Sequence, residues 1–168
     1  TMYARVAYWL TSAAYHVGAY HEAIRYAPVA YRYPHNREFV QEYLCKSYLA
    51  VGDTLGGVQA LKNGIVNFPD HTYFFSNLMI YLNKNGKYDE ALQFADRMID
   101  YDPKNSLFWL AKAMTCMRME DYPHCIENCD VVLIQDSMDI KANYLKGLAC
   151  CNMARSAAEA MEKEDLHS

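Results

Sequence analysis

Residues 72–105 read TYFFSNLMIYLNKNGKYDEALQFADRMIDYDPKN, and this stretch decides the fold. Phe75, Leu78, Met79 and Leu82 recur at i, i+3, i+4 and i+7, which predicts a helix from about Tyr73 to Lys84. Gly86 stands just past its end, where a positive φ is often needed. Tyr88, Ala91, Leu92, Ala95 and Ile99 give a second helix, with Asp89 and Glu90 in the first turn, where negative charge suits the N-terminus. Pro103 ends it, having no N–H to donate. Ala91 and Ala95 are small enough to let the first helix approach, with Phe75, Leu78 and Leu82 packed against them. Neither helix can bury its other flank alone, so the unit needs stacked neighbours.

The flanks fall into the same 34-residue frame: 4–37, 38–71, 72–105, 106–139 and a partial unit over 140–168. In the first, Gly18-Ala19-Tyr20-His21-Glu22-Ala23 is the corner, and Pro28 inside the second helix predicts a kink or early unwinding. In the second, Val51-Gly52-Asp53 is the corner, and Asp53 or Thr54 is placed to cap the next helix. Gly57 and Gly64 stand where Ala91 and Met98 stand in the central unit's frame, and a close helix contact explains Gly57, whereas Gly56 has no reason visible in the sequence. In the fourth, Glu120-Asp121-Tyr122-Pro123 is the corner. Ser137 stands 34 residues on from Pro103, in its place, which predicts a softer junction there. In the fifth, Tyr144, Gly147 and Cys150 match the first helix. The frame fails after Met153, and residues 156–163 read either as the second helix of a shortened repeat or, preferred here, as a capping helix with a polar outer face. The stretch 162–168 is expected to fray.

Residues 72–105 resemble the tetratricopeptide repeat. Phe75, Leu78, Ala91 and Pro103 match its pattern, as does the corner Gly86-Lys87-Tyr88-Asp89-Glu90-Ala91, while Met79, Leu82, Ala95 and Met98 differ in size but stay apolar. The resemblance implies an all-α fold, a right-handed α-α superhelix of about four full hairpins plus a partial fifth, forming one domain.

Composition agrees. The chain has 168 residues, 52% apolar, with a net charge of −4. Half the residues can feed a continuous core. The acidic balance argues against a general nucleic-acid binder. No apolar run approaches the ~18 residues of a membrane span, and no signal peptide is visible. Thr1 opens inside a helical run, so the chain reads as a fragment or excised domain.

Cys116, Cys125 and Cys129 face one seam in this frame, with Cys150 facing it from the next hairpin. The spacing is not a zinc pattern, and free Cys behaves as a small apolar residue, so a buried reduced core is preferred to a metal site. Unpaired thiols point to a reducing compartment such as the cytoplasm. The histidines fall mostly at corners and repeat ends, as surface or turn residues. No nucleophile, base and acid set recurs, and no phosphate loop is present, so neither an enzyme nor a cofactor is expected.

In the family the groove is lined by set positions of the first helices. By frame these include Tyr8, Trp9, Tyr15, Phe39, Tyr43, Tyr73, Asn77, Leu107, Leu110, Met114, Met117 and Tyr144, with Arg5, His16, Glu42, Lys46, Asn83, Lys84 and Arg118 as polar members. The carboxylate clamp of chaperone-binding members is not matched. Only Asn77 fits it, while Glu42 stands where Lys is needed, and Leu107 and Ala111 where Lys and Arg are. The resemblance therefore implies a protein-binding scaffold taking a peptide or helical segment in an aromatic, Met-rich groove. The residues singled out are Tyr8, Tyr43, Lys46, Tyr73, Asn77, Lys84, Leu110 and Met114. An assembly segment of a larger protein, or a self-associating homo-oligomer, is the alternative.

Overall fold

The computed structural model describes residues 1–165. Among these, nine helices and no strand form: α1 (Met2–His16), α2 (Tyr20–Ala30), α3 (Arg37–Ala50), α4 (Thr54–Asn67), α5 (Thr72–Lys84), α6 (Tyr88–Tyr101), α7 (Ser106–Arg118), α8 (Tyr122–Gln135) and α9 (Ile140–Asp165). The 34-residue register is written into the backbone. Gly18, Gly52 and Gly86 take φ of 79°, 80° and 68°, and Glu120, next in the series, takes 60° without being glycine. This left-handed residue turns the chain from one helix to the next in every full hairpin.

The chain divides into two compact units, Thr1–Ile80 and Tyr81 onward. In unit 1, α1 packs on α2 and α3, and α3 on α4. Ala7, Tyr8, Ala27, Ala30 and Val40 form one apolar cluster. Pro28 acts as expected: α2 stops after 11 residues, whereas α4, α6 and α8 run for 14. Asp53, not Thr54, is the cap of α4, its carboxylate accepting from Gly56 N at 2.8 Å. That explains Gly56. A Cβ there would sit 2.6 Å from the Asp53 carboxylate and 2.8 Å from the Tyr48 ring. Gly57 and Gly64 are close-contact positions, Gly64 lying beneath the Phe74 ring.

In unit 2, α7 packs on α6, α8 and α9, and α8 on α9. Leu110, Ala113, Cys116, Cys125, Cys129, Val132, Ala142, Leu145 and Ala149 are its core. Asn83 Nδ2 donates to Thr115 Oγ1 at 3.0 Å inside it. The junction at Ser137 is not softened. α8 ends at Gln135, because Asp136 adopts an extended backbone and accepts from Met138 N, and Asp139 then caps α9 through Ala142 N. The junction after α6 is closed in the same way, Asp102 accepting from Lys104 N and Asn105 capping α7 through Leu107 N.

The expected capping helix is not separate. Residues 153–165 continue α9 without a corner, since Ala154, the next place in the left-handed series, stays helical. With no second helix folded back, Gly147 faces open space instead of a close neighbour, and Cys150 is exposed rather than set in the seam. Of the stretch expected to fray, residues 162–165 are helical; the rest, with His167, lies outside the described residues.

Candidate functional site

The first helices of unit 1 bring three tyrosines round one lysine. Position twelve of the first repeat and position six of the second put Tyr15 on α1 near Tyr43 on α3, with ring centroids 5.1 Å apart. Lys46, one turn on from Tyr43, extends its Nζ to 5.8 Å from the Tyr15 ring and 5.0 Å from the Tyr73 ring of α5. Tyr15, Tyr43 and Tyr73 are all half-buried. His16 lies edge-on to Tyr43 while its Nδ1 reaches the Ser12 carbonyl at 2.7 Å.

The lysine is not an uncompensated charge. Its Nζ pairs with Glu42 Oε1 at 2.5 Å, and the other oxygen of Glu42 accepts from His71 Nε2 at 2.8 Å. Burial pushes the Glu42 carboxyl up, but the bonds from Lys46 and His71 outweigh it and hold the group below its usual value. Burial likewise lowers Lys46, and Glu42 more than offsets this, so the ammonium is held above its usual value. Burial drives the Tyr73 phenol well above the ordinary range, keeping it a neutral donor. The His71 ring also stacks near Phe74 at 5.0 Å and Phe39 at 5.8 Å, so a residue read as a turn histidine locks the floor of the cluster.

The other expected residues are placed unequally. Asn77 is half-buried and donates to the Tyr73 carbonyl at 2.8 Å, steadying α5. Tyr8 is only 8% exposed; it packs into the unit 1 core against Trp9 and Tyr33 rather than lining open surface. Leu110, 9% exposed, belongs to the unit 2 core in the same way. Its edge reaches an open cleft of about 400 Å³ shared with Leu107, Asp136 and Met138. Met114 and Lys84 are exposed on α7 and α5 of unit 2. Structure thus gathers Tyr43, Lys46, Tyr73 and Asn77 into one cluster and adds Tyr15, Glu42, His71 and Phe74. Phe74 was legible: Val40, Phe74, Phe108 and Ala142 stand 34 residues apart and are all buried.

The seam cysteines Cys116, Cys125 and Cys129 are buried together in the unit 2 core, and Cys45 is buried in unit 1. Burial pushes the Cys45 thiol up to about 12 and the Cys116 thiol up to about 11. A hydrogen bond with Cys129 and burial raise Cys125 as well. Thiols held this way are poor nucleophiles and poor ligands. Among the described residues no three His, Cys, Asp or Glu side chains gather where a metal ion could be held. No described helix is long and apolar enough to cross a membrane.

No protein-family model matches the chain, and no curated protein sequence does. Solved structures do. MamA residues 41-end from Desulfovibrio magneticus RS-1 is 18% identical, with 97% of this chain and 93% of that one covered at a TM-score of 0.67. MamA of AMB-1 is 16% identical, covering 92% and 82% at 0.60. A tetratricopeptide repeat protein from Parabacteroides merdae ATCC 43184 is 11% identical, covering 89% of this chain and 59% of that one at 0.71. Together with the 34-residue register of corners, these likenesses show that the chain has an all-α helical repeat fold of the tetratricopeptide type.

Proposed function

We propose that this chain is a protein–protein interaction scaffold that holds a peptide or helical segment of a partner on the first-helix face of unit 1. The observation that carries this reading is the cluster of Tyr15, Tyr43 and Tyr73 round the Lys46–Glu42–His71 chain of contacts. Tyrosines are frequent binding anchors, because a rigid ring buries area while its hydroxyl stays hydrogen-bonded. Here the rings are already fixed by their neighbours, so little ordering entropy is lost by the scaffold on binding. Since Glu42 matches the charge of Lys46, the surface favours an apolar or aromatic segment over a strongly acidic one. The buried thiols of Cys45 and Cys116, held protonated, support a binding role over a catalytic one.

A photo-crosslinking residue in place of Tyr43 tests the site. It should trap a protein partner from source-cell extract, while the same group in place of Leu55, which is 83% exposed on α4, should not. Equal trapping at both positions, or trapping at Leu55 alone, would overturn the placement.

A further inference from the structure

Lys46 and Glu42 are not part of the repeat. At the place of Lys46 the other first helices carry Ser12, Ile80, Met114 and Leu148, and at the place of Glu42 they carry Tyr8, Ser76, Leu110 and Tyr144. Stacking the hairpins therefore needs neither charge. Charge and rings nevertheless meet at one point, wholly inside unit 1. The Lys46 ammonium, carried on α3, lies within cation–π reach of Tyr15 from α1 and Tyr73 from α5, and the Tyr43 phenol is close enough to act on its charge. The chain's own lysine thus occupies a site of the kind that binds a cation.

The lysine is the loose member of that site. Its side chain is 34% exposed, against 16% for Glu42. Its long stem gives up rotamer freedom by staying there. Every other member has a partner that does not depend on it. Glu42 Oε2 keeps His71 Nε2 at 2.8 Å. Tyr15 and Tyr43 keep each other and His16, and Tyr73 keeps Phe74, edge-on at 5.6 Å. Swinging Lys46 into solvent would leave one carboxylate and three rings already in place. A guanidinium suits them better than the ammonium does. It is flat, so it stacks on rings while its edge N–H groups reach Glu42 Oε1, and it is more weakly hydrated, so it loses less on leaving water.

We infer that this cluster receives an arginine side chain of the partner segment, whose guanidinium displaces Lys46 from Glu42 and lies among Tyr15, Tyr43 and Tyr73. Lys46 is then a built-in competitor. It neutralises the carboxylate while the site is empty and moves to solvent when the better cation arrives. The exchange swaps one cation for another, so the site takes a basic residue within an otherwise apolar segment and gains no net charge. This rests on the partner-binding reading for the segment that carries the arginine, and names the group by which that segment is recognised.

N-acetyl-arginine amide, titrated against the intact chain and followed by the ring-proton resonances of Tyr15, Tyr43 and Tyr73, tests it. The probe should shift all three rings, and N-acetyl-lysine amide should shift them less at equal concentration. Lys46→Met removes the competitor and keeps its stem, so arginine binding should tighten about tenfold. Lys46→Arg fills the site from within and should weaken the probe by a similar factor, and Glu42→Gln should abolish saturable binding. Circular dichroism checks the fold of each variant, and Lys46→Arg, which keeps the charge, decides the matter should Lys46→Met unfold. Weaker arginine binding in a folded Lys46→Met chain would overturn the inference. So would N-acetyl-aspartate amide shifting the same rings in the parent chain and not in Lys46→Met, which would make Lys46 the reader of an anion, or no arginine binding in either chain. Failure of the probe while a crosslinker at Tyr43 still traps a partner overturns this inference alone. Binding of the probe as expected with no partner trapped leaves the cation site standing and removes the scaffold reading.

Discussion

Replacing Gly64 with Ala should destabilise unit 1, although alanine is the better helix former. A Cβ built on Gly64 would lie 2.3, 2.4 and 2.7 Å from three carbons of the Phe74 ring. Carbon atoms rest at about 3.5–4.0 Å, so the ring must retreat by more than 1 Å. Phe74 is 0% exposed, held between Phe68, His71 and Tyr73, and has nowhere to go without moving them. Overpacking of this kind costs about 1–3 kcal/mol. The gain in helix propensity is about 1 kcal/mol. The expected net is a loss of up to about 2 kcal/mol, centred near 1 kcal/mol, or roughly 2–4 °C in Tm for a chain of this size. Gly147→Ala is the matched control. It is also a helix-interior glycine, but its Cβ would meet nothing within 4 Å, so only the propensity gain of about 0.5–1 kcal/mol should remain. Urea unfolding followed by circular dichroism reads both. Gly64→Ala as stable as the parent chain, or more so, would refute the close-approach account of this glycine. Phe74→Leu combined with Gly64→Ala should recover part of the loss, since the two residues share one contact.

Glu120→Gly should stabilise the fourth corner by about 0.5–1 kcal/mol: it relieves roughly 1–2 kcal/mol of left-handed strain and loses part of that to chain entropy, which a shift in the urea midpoint would show. Glu42 is held below its usual value, so its contribution is complete above about 4.5 and is lost as the pH falls below that. Glu42→Gln should therefore flatten the acid limb of a stability-against-pH curve, and an unchanged limb would contradict the pairing with Lys46 and His71. A thiol reagent at neutral pH should modify Cys150 and Cys151 at once, and Cys45, Cys116, Cys125 and Cys129 only after unfolding, as quantified by mass spectrometry.

The repeat was legible because its punctuation is chemical. Gly18, Gly52, Gly86, Pro103 and the paired apolar faces each encode a local conformation, and their 34-residue spacing carries the fold. The third-position Phe74 and Phe108 were legible for the same reason but only when the repeats are laid on one another. Two features were not legible. The softer junction expected at Ser137 fails because Asp136 and Asp139 close it through side-chain bonds that leave no composition signal. The unbroken α9 reflects the lack of a left-handed residue at Ala154, which reads equally as a separate helix until the chain is folded. The candidate site was half legible. Tyr43, Lys46, Tyr73 and Asn77 follow from the frame, but the neutralising Glu42–His71 contact spans 29 residues and depends on where the α4–α5 turn sets the imidazole. Tyr8 and Leu110 were over-read, because the frame fixes which helix face a residue occupies and not how deeply its neighbours bury it.

The most direct measurement of the central claim is the affinity of the captured partner segment for the intact chain and for its Tyr43→Ala/Tyr73→Ala variant, by calorimetry, beside their circular dichroism spectra and melting curves. Loss of two anchoring rings should weaken binding by about 30-fold or more while the helical signal persists. Equal affinity for the two chains, with both folded, would contradict the assignment of partner binding to this face.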